Sequence, residues 1–401
     1  MLQTYRAAFR TPGAAAFCAA AFVARFSIAV YPIGCVLLIS LRTGHYGFAG
    51  FLSGVYVFAN GIGNPVLGRL VDRFGERRVV LPATVVHVAA AIVTIALART
   101  NQPDLAFIAP VAVVGFSYLA MGSLVRARWS YVLAGRPELT TAYSLESTLD
   151  EVMFTAAPLL ATVIATQVDP SYVFVMAAIL VGTGSLWLVS QRATEPPAQE
   201  PGAAPHESAL RNRGMLLLLV ATGGMGAFFA SAEVTMVAFC GQQGHTGLAG
   251  VLLAAFAGGS AVAGFVYGAR HRSEPVLDRF RRQCVVFGLL PLLFLAGVNI
   301  PALAAVAFVV GTGIAPALIT SFGLIEAVVP TGALVEGMSW LTTGLSIGYG
   351  IAASIVGRIA DAHGARPAFL VAIAAGLLVA ASGAVLHARV RAAETARAPV
   401  V

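Results

Sequence analysis

The sequence predicts an all-α membrane protein of twelve transmembrane helices in two pseudo-symmetric six-helix bundles, with both termini in the cytoplasm. Three observations predict it. Hydrophobic residues make up 58% of the 401 and charged residues 11%, with a mean hydropathy of +0.84, whereas a soluble domain carries about 25% charged residues. Apolar stretches recur along the whole chain at the length that a hydrocarbon core of about 30 Å demands, roughly 20 residues at helical rise. The arginines gather in alternate connections between those stretches.

The first half holds spans near residues 14–41, 47–67, 79–98, 105–125, 140–166 and 172–190, and the second near 215–239, 247–269, 284–298, 302–325, 336–357 and 368–386. Residues 1–192 then form one bundle and 214–401 the other. Between them, 193–213, "ATEPPAQEPGAAPHESALRNR", is rich in Pro, Glu and Ala and reads as a flexible cytoplasmic linker. The halves resemble each other. "GFAGFLSG" at Gly47 and "GLAGVLLA" at Gly247 open matching spans, and Gly68 and Gly268 close them, as a duplicated six-helix unit would.

All 25 basic residues are arginine. With the amino end inside, 20 of them face the cytoplasm, among them Arg126, Arg128 and Arg270, while Arg42, Arg99, Arg358 and Arg366 lie outside and Arg25 sits within the first span. The net charge of +7 follows from topology and anionic headgroups and calls for no nucleic acid. The apolar run after Arg10 is longer than the core of a cleaved signal peptide and counts as a span. Cys18, Cys35, Cys240 and Cys284 fall in or beside spans, without a CxxC pair, and no disulfide, metal or cofactor is expected. No GxxxxGK[ST] loop is present, which argues against an ATP-driven pump, and nothing points to an enzyme.

The densest charge lies in "GRLVDRFGERRVV", 68–80, the cytoplasmic connection after the second span. Positive charge inside accounts for the arginines but not for Asp72 or for the spacing of Gly68 and Gly75. The pattern Gly68, Asp72, Arg73, Gly75, followed by Arg77 and Arg78, resembles the signature loop of the major facilitator superfamily, and the two-half layout around it covers nearly the whole chain. Glu76 departs from that pattern, standing where the loop is usually basic. The resemblance implies two bundles rocking about a central cavity, with this loop latching the second span against the eleventh. Glu336, opening the eleventh span, is then a partner for Arg69 or Arg73, and its counterpart Glu146 is expected to face the eighth span and Arg270. Arg126 and Arg128 compete for Glu146, and both acids could equally cap their helices.

Charges inside the bilayer are costly unless paired or hydrated. Arg25 lies midway along the first span, and Asp150 and Glu151 midway along the fifth; in the resembling family these spans are neighbours, so Arg25 can meet one of the two acids. Such a pair serves equally as a brace or as a coupling site. Glu233 in "FFASAEVTMV" has no basic partner in its own half and is a proton carrier or a vestibule residue. "FTAAPLLA", with Pro158, loosely resembles the fifth-helix motif of proton-coupled drug antiporters, though Ala157 and Ala161 stand in place of glycine. Few Asn and Gln lie in the spans. Phe26, Tyr31, Phe228, Phe229 and Trp340 suit an amphiphilic substrate or serve only as packing.

The expected protein is therefore a monomeric secondary transporter in the bacterial inner membrane, a proton-coupled antiporter exporting small amphiphilic molecules. Uptake of a metabolite and a non-transporting sensor or lipid-handling protein are the rivals. Reporter fusions at Arg213 and at the carboxyl end are both expected to report cytoplasm; an outside signal at either overturns the helix count.

Overall fold

The computed structural model describes residues 9–43, 46–100, 103–198, 208–245, 248–270, 274–329 and 333–397. Arg6, Gly247, Arg272 and the middle of the linker lie outside the described residues, as do the side chains of Glu151 and Pro158. The α-helices are α1 (Ala14–Arg25), α2 (Ser27–Thr43), α3 (Tyr46–Phe74), α4 (Glu76–Ala98), α5 (Ile108–Ser117), α6 (Met121–Val132), α7 (Glu138–Gln167), α8 (Ser171–Ser190), α9 (Arg213–Gln242), α10 (Ala249–Gly268), α11 (Val276–Leu289), α12 (Ile300–Gly311), α13 (Ile314–Val328), α14 (Leu334–His363) and α15 (Ala365–Arg397). No strand occurs among the described residues. α1 to α8 pack mainly on one another and α9 to α15 do likewise, while α3 meets α14 and α7 meets α10 and α13 across the middle.

Nine stretches of the described residues are long and apolar enough to cross a membrane. The other three expected spans fall on α3, α7 and α11. α3 carries Asn60 and Asn64, α7 carries Glu146 and Asp150, and α11 has only 14 residues before a 3-10 turn.

Three spans expected to be continuous are interrupted: α1 gives way to α2 at Phe26, α5 to α6 over Tyr118–Leu119–Ala120, and α12 to α13 at Thr312 and Gly313. The middle break shows how a membrane protein tolerates one. Backbone ψ swings to 116° at Tyr118 and 76° at Ala120, which frees carbonyls that lipid cannot solvate. Neighbouring side chains take them up. His87 Nδ1 donates to the Val114 carbonyl at 3.0 Å, and Asn60 Nδ2 donates to those of Gly115 and Tyr118 at 3.2 and 3.4 Å. Beyond the break the helix runs on to Val132, so Arg126 and Arg128, expected in a cytoplasmic connection, are instead 3% and 0% exposed within α6.

Inside the second half, α9 and α14 touch backbone to backbone. A Cβ at Gly226 would collide with the Leu345 carbonyl, and one at Gly348 with that of Gly223. Gly226→Val is expected to lower the melting transition of the detergent-solubilised protein by the equivalent of about 3 kcal/mol or more, since overpacking against backbone has no side chain to displace. Gly250→Ala, with nothing within 4 Å of the new Cβ, is the control and should leave it unchanged.

Candidate functional site

Contacts between the halves cluster at one end, the end carrying 68–80. There the Asp72 carboxylate accepts the backbone N–H groups of Val335 at 3.0 Å and Glu336 at 2.8 Å, capping the start of α14. One turn earlier a Cβ at Gly68 would stand 2.8 Å from Ser339 Oγ, and Thr343 Oγ1 donates to the Gly61 carbonyl at 3.1 Å. On the other flank Thr141 and Ser144 of α7 donate to the carbonyls of Gly268 and Gly264 of α10, at 2.6 and 2.5 Å. Glu326 of α13 accepts from Ser130 of α6 and, at 2.7 Å, from Tyr143 of α7. Farther along, the halves part: a Cβ at Gly61 would have its nearest neighbour at 3.9 Å, and one at Gly54 or Gly250 none within 4 Å. The side-chain contacts between the halves named here thus lie toward the 68–80 end.

Beside those contacts the first half assembles four charges. Arg25 Nη2 lies 2.6 Å from Glu146 Oε2 and its Nη1 3.2 Å from Asp150 Oδ1, while Arg126 Nη2 lies 2.7 Å from Asp150 Oδ2. Trp129 Nε1 and the Cys18 thiol donate to Glu146 Oε1 at 2.7 and 3.2 Å. Two guanidinium groups and two carboxylates cancel, which is the condition for keeping them in a low dielectric. Three members are nearly inaccessible, while the Asp150 side chain is 26% exposed. Arg126 also lies over the Phe322 ring of α13 at 4.2 Å, so one guanidinium touches both the network and the opposite half.

Several expected pairings differ from those found. Glu146 does not face Arg270: it sits two turns into α7 at the depth of Arg25 and pairs with that residue, whereas Arg270 is exposed at the end of α10. The latch rests on Asp72 more than on arginine, because the N–H groups opening α14 point at its carboxylate while Arg69, half exposed, reaches Glu336 only at 4.0 Å. Glu336 accepts instead from Ser208 Oγ at 2.5 Å. Arg73 lies over Phe74, and the Arg77 backbone N–H goes to Glu195 of the linker at 3.2 Å. Gly75 turns α3 into α4 at φ 88°, a conformation suited to glycine. Glu233 has no cation beside it among the described residues; Tyr349 Oη donates to it at 2.8 Å. Of the aromatic candidates, Phe228 is packed among Phe256, Phe287 and Phe294, and Tyr31 donates to His87 Nε2 at 2.7 Å in a buried cluster with Tyr56. Phe26, Phe229 and Trp340 remain partly open, and the indole Nε1 of Trp340 has no hydrogen-bond partner among the described residues.

Glu76, odd in the loop pattern, pairs with Arg128 at 2.6 Å. Arg128 spends its remaining donors on the Leu188 and Gln191 carbonyls and Thr194 Oγ1, tying α4, α6 and the end of α8 together. No group of three or more His, Cys, Asp or Glu side chains that could hold a metal ion occurs among the described residues.

A helical protein with nine stretches among the described residues fit to cross a bilayer, in two halves that meet beside a buried charge network, has the architecture of a membrane transporter. The sequence matches the Major Facilitator Superfamily model over residues 15–274, and the chain belongs to that family of transporters. None of the curated proteins compared with it matches. Among solved structures it is similar to a bacterial homologue of the iron transporter ferroportin in an outward-facing state, at 12% identity and a TM-score of 0.77, covering 94% of this chain and 99% of that one. The human organic anion transporter MFSD10 (TETRAN) is similar at 15% identity and a TM-score of 0.67, covering 94% and 100%. A single-residue variant of the Escherichia coli fucose:proton symporter FucP is similar at 12% identity and a TM-score of 0.70, covering 92% and 98%.

Removing one partner from a buried ion pair leaves an uncompensated charge and costs about 3–5 kcal/mol. Glu146→Gln is therefore expected to destabilise the solubilised protein, and adding Arg25→Met to restore much of the loss. A double variant no more stable than Glu146→Gln alone would mean that the two side chains do not depend on each other.

Proposed function

We propose that the protein is a proton-coupled exporter of small amphiphilic molecules, acting as a monomer by alternating access in the inner membrane, with residues 1–192 and 214–401 as its rocking halves. The 68–80 end is taken as cytoplasmic because arginine crowds there, so on this reading the contacts at that end are the shut inner gate. Gly68, Arg69, Asp72, Arg73, Gly75, Arg77 and Glu336 belong to that gate.

The observation that carries the reading is the placement of Asp150, partly exposed and bonded to Arg126, which itself lies over Phe322 of the opposite half. A proton entering from outside converts the Asp150 carboxylate to its acid and ends its attraction for Arg126. The network then holds one excess positive charge, an arrangement that low dielectric disfavours. Relief comes when Arg126 moves, and Phe322 moves with its partner. Opening inward exposes Asp150 to the cytoplasm, where the proton leaves and the pair re-forms. Arg25 keeps Glu146 occupied throughout, so the gain and loss of a proton fall on Asp150. Glu151 and Glu233 remain further proton or substrate contacts in this reading. Trp340 and Phe26, partly open, suit an aromatic or amphiphilic cargo. One observation favours uptake as a second reading, the fold shared with a fucose:proton symporter.

In proteoliposomes with an imposed pH gradient, Asp150→Asn is expected to abolish proton-driven flux of an amphiphilic cargo while energy-independent exchange of that cargo continues. Full proton-driven flux in Asp150→Asn would remove this residue from coupling. Cargo accumulating with the proton gradient rather than against it would replace export by uptake.

A further inference from the structure

The two halves close the base of their third and last spans differently. In the first, the acid opening α4, Glu76, is buried against Arg128, and the chain after α8 folds over the site, burying Thr194 and giving the Glu195 carboxylate to the backbone of Arg77. In the second, Asp278 opens α11 in the matching place and pairs with His387 at 2.7 Å and Arg391 at 2.9 Å. Those bonds hold its carboxyl below the usual range, the hydrogen bond from His387 most of all. Here α15 continues past the site to Arg397.

What remains is a groove of about 510 Å³ between α11 and α15. Its upper wall is apolar, formed by Val285 and Val286 with Ala384 opposite, whose small side chain keeps the groove open where Gly383 packs on Cys284. Its lower end is charged. Glu274 there is neutralised by Arg282 at 2.6 Å and Asp278 by its own two partners, which leaves Arg281, exposed and without an ion-pair partner among the described residues. The charged end lies at the same end of the bundle as 68–80, and the apolar wall runs toward the membrane interior.

We propose that this groove is a binding site for an anionic phospholipid, with the headgroup phosphate on Arg281 and an acyl chain along Val285, Val286 and Ala384. Charge complementarity selects the occupant: with both acids satisfied, the unanswered charge is a single cation placed where a phosphate sits when its acyl chain lies along the apolar wall. The gate and the charge network play no part in it.

Native mass spectrometry of the full chain, titrated with phosphatidylglycerol or phosphatidylcholine, tests the site. The wild type should retain phosphatidylglycerol about fivefold over phosphatidylcholine, the preference one interfacial arginine supplies. Arg281→Gln should bring that ratio close to one, and Ala384→Leu, which fills the groove without changing charge, should lower retention of phosphatidylglycerol. An even ratio in the wild type, or an unchanged one in Arg281→Gln, overturns the proposal. Full displacement of the lipid by millimolar inorganic phosphate would make it a small-anion site and overturn the lipid assignment.

Discussion

The pairing of Arg25 and Arg126 with Glu146 and Asp150 constrains much of the first half, because four charges in a bilayer must each find a partner from inside the protein. Two of the four stand on α7 and one on α1, but the fourth reaches the network only because α6 starts afresh after Ala120. That restart releases backbone carbonyls, and the release makes Asn60 on α3 and His87 on α4 necessary as donors. Their reach requires α3 and α5 to approach closely, which glycine at Gly63 and Gly115 allows. A polar residue on one helix, a glycine on another and a break in a third thus serve a single ion network.

The internal repeat shows which parts of the design are shared and which belong to one half. Both halves break their fourth span, at Tyr118–Ala120 and at Thr312–Gly313, and both anchor the start of the third span by an acid that meets a cation. Only the first half buries ion pairs among the described residues, while those of Asp278 and Glu274 in the second stand partly exposed. Glu233, the deep acid of the second half, has a tyrosine hydroxyl in place of an arginine. The halves meet at Arg126 over Phe322 as well as at the bonds of Asp72, Thr141, Ser144 and Glu326.

The family and the all-α fold were legible in the sequence because hydrophobic length, arginine asymmetry and the Gly68–Asp72–Gly75 spacing are local properties. The breaks were not, since "FSYLAMG" across the α5–α6 junction holds no proline and is as apolar as any helix. Missing that break placed the end of the span at 125 and put Arg126 and Arg128 in water. The signal available was compensation: Glu76, Glu146 and Asp150 are three acids at or within apolar segments that also offer Arg25, Arg126 and Arg128. Counting deep acids against deep bases would have drawn both arginines inward. The Glu146–Arg270 expectation came from pseudo-symmetry with Glu336, and a repeat specifies backbone placement better than the partners of its side chains. Glu326 escaped notice because its hydroxyl partners, Ser130 and Tyr143, carry no charge to mark them.

On the proposed reading, the energies involved are of the size that switching needs. Taking a two-state equilibrium from 1:99 to 99:1 requires about 5.5 kcal/mol of differential free energy. The hydrogen bonds that close the gate contribute about 1 kcal/mol each where both partners are neutral, as from Thr141, Ser144 and Thr343, and about 1.5–3 kcal/mol each where the Asp72 or Glu326 carboxylate accepts, so a few of them suffice to hold it shut. An unbalanced charge at a buried site costs several kcal/mol, comparable with a few of those bonds together. On the proposed reading, losing the Asp150–Arg126 pair therefore weighs against the closed state. The exposure of Asp150 beside the burial of Glu146 then has a physical reason: the acid that exchanges its proton must reach water, while the acid that holds Arg25 in place must not.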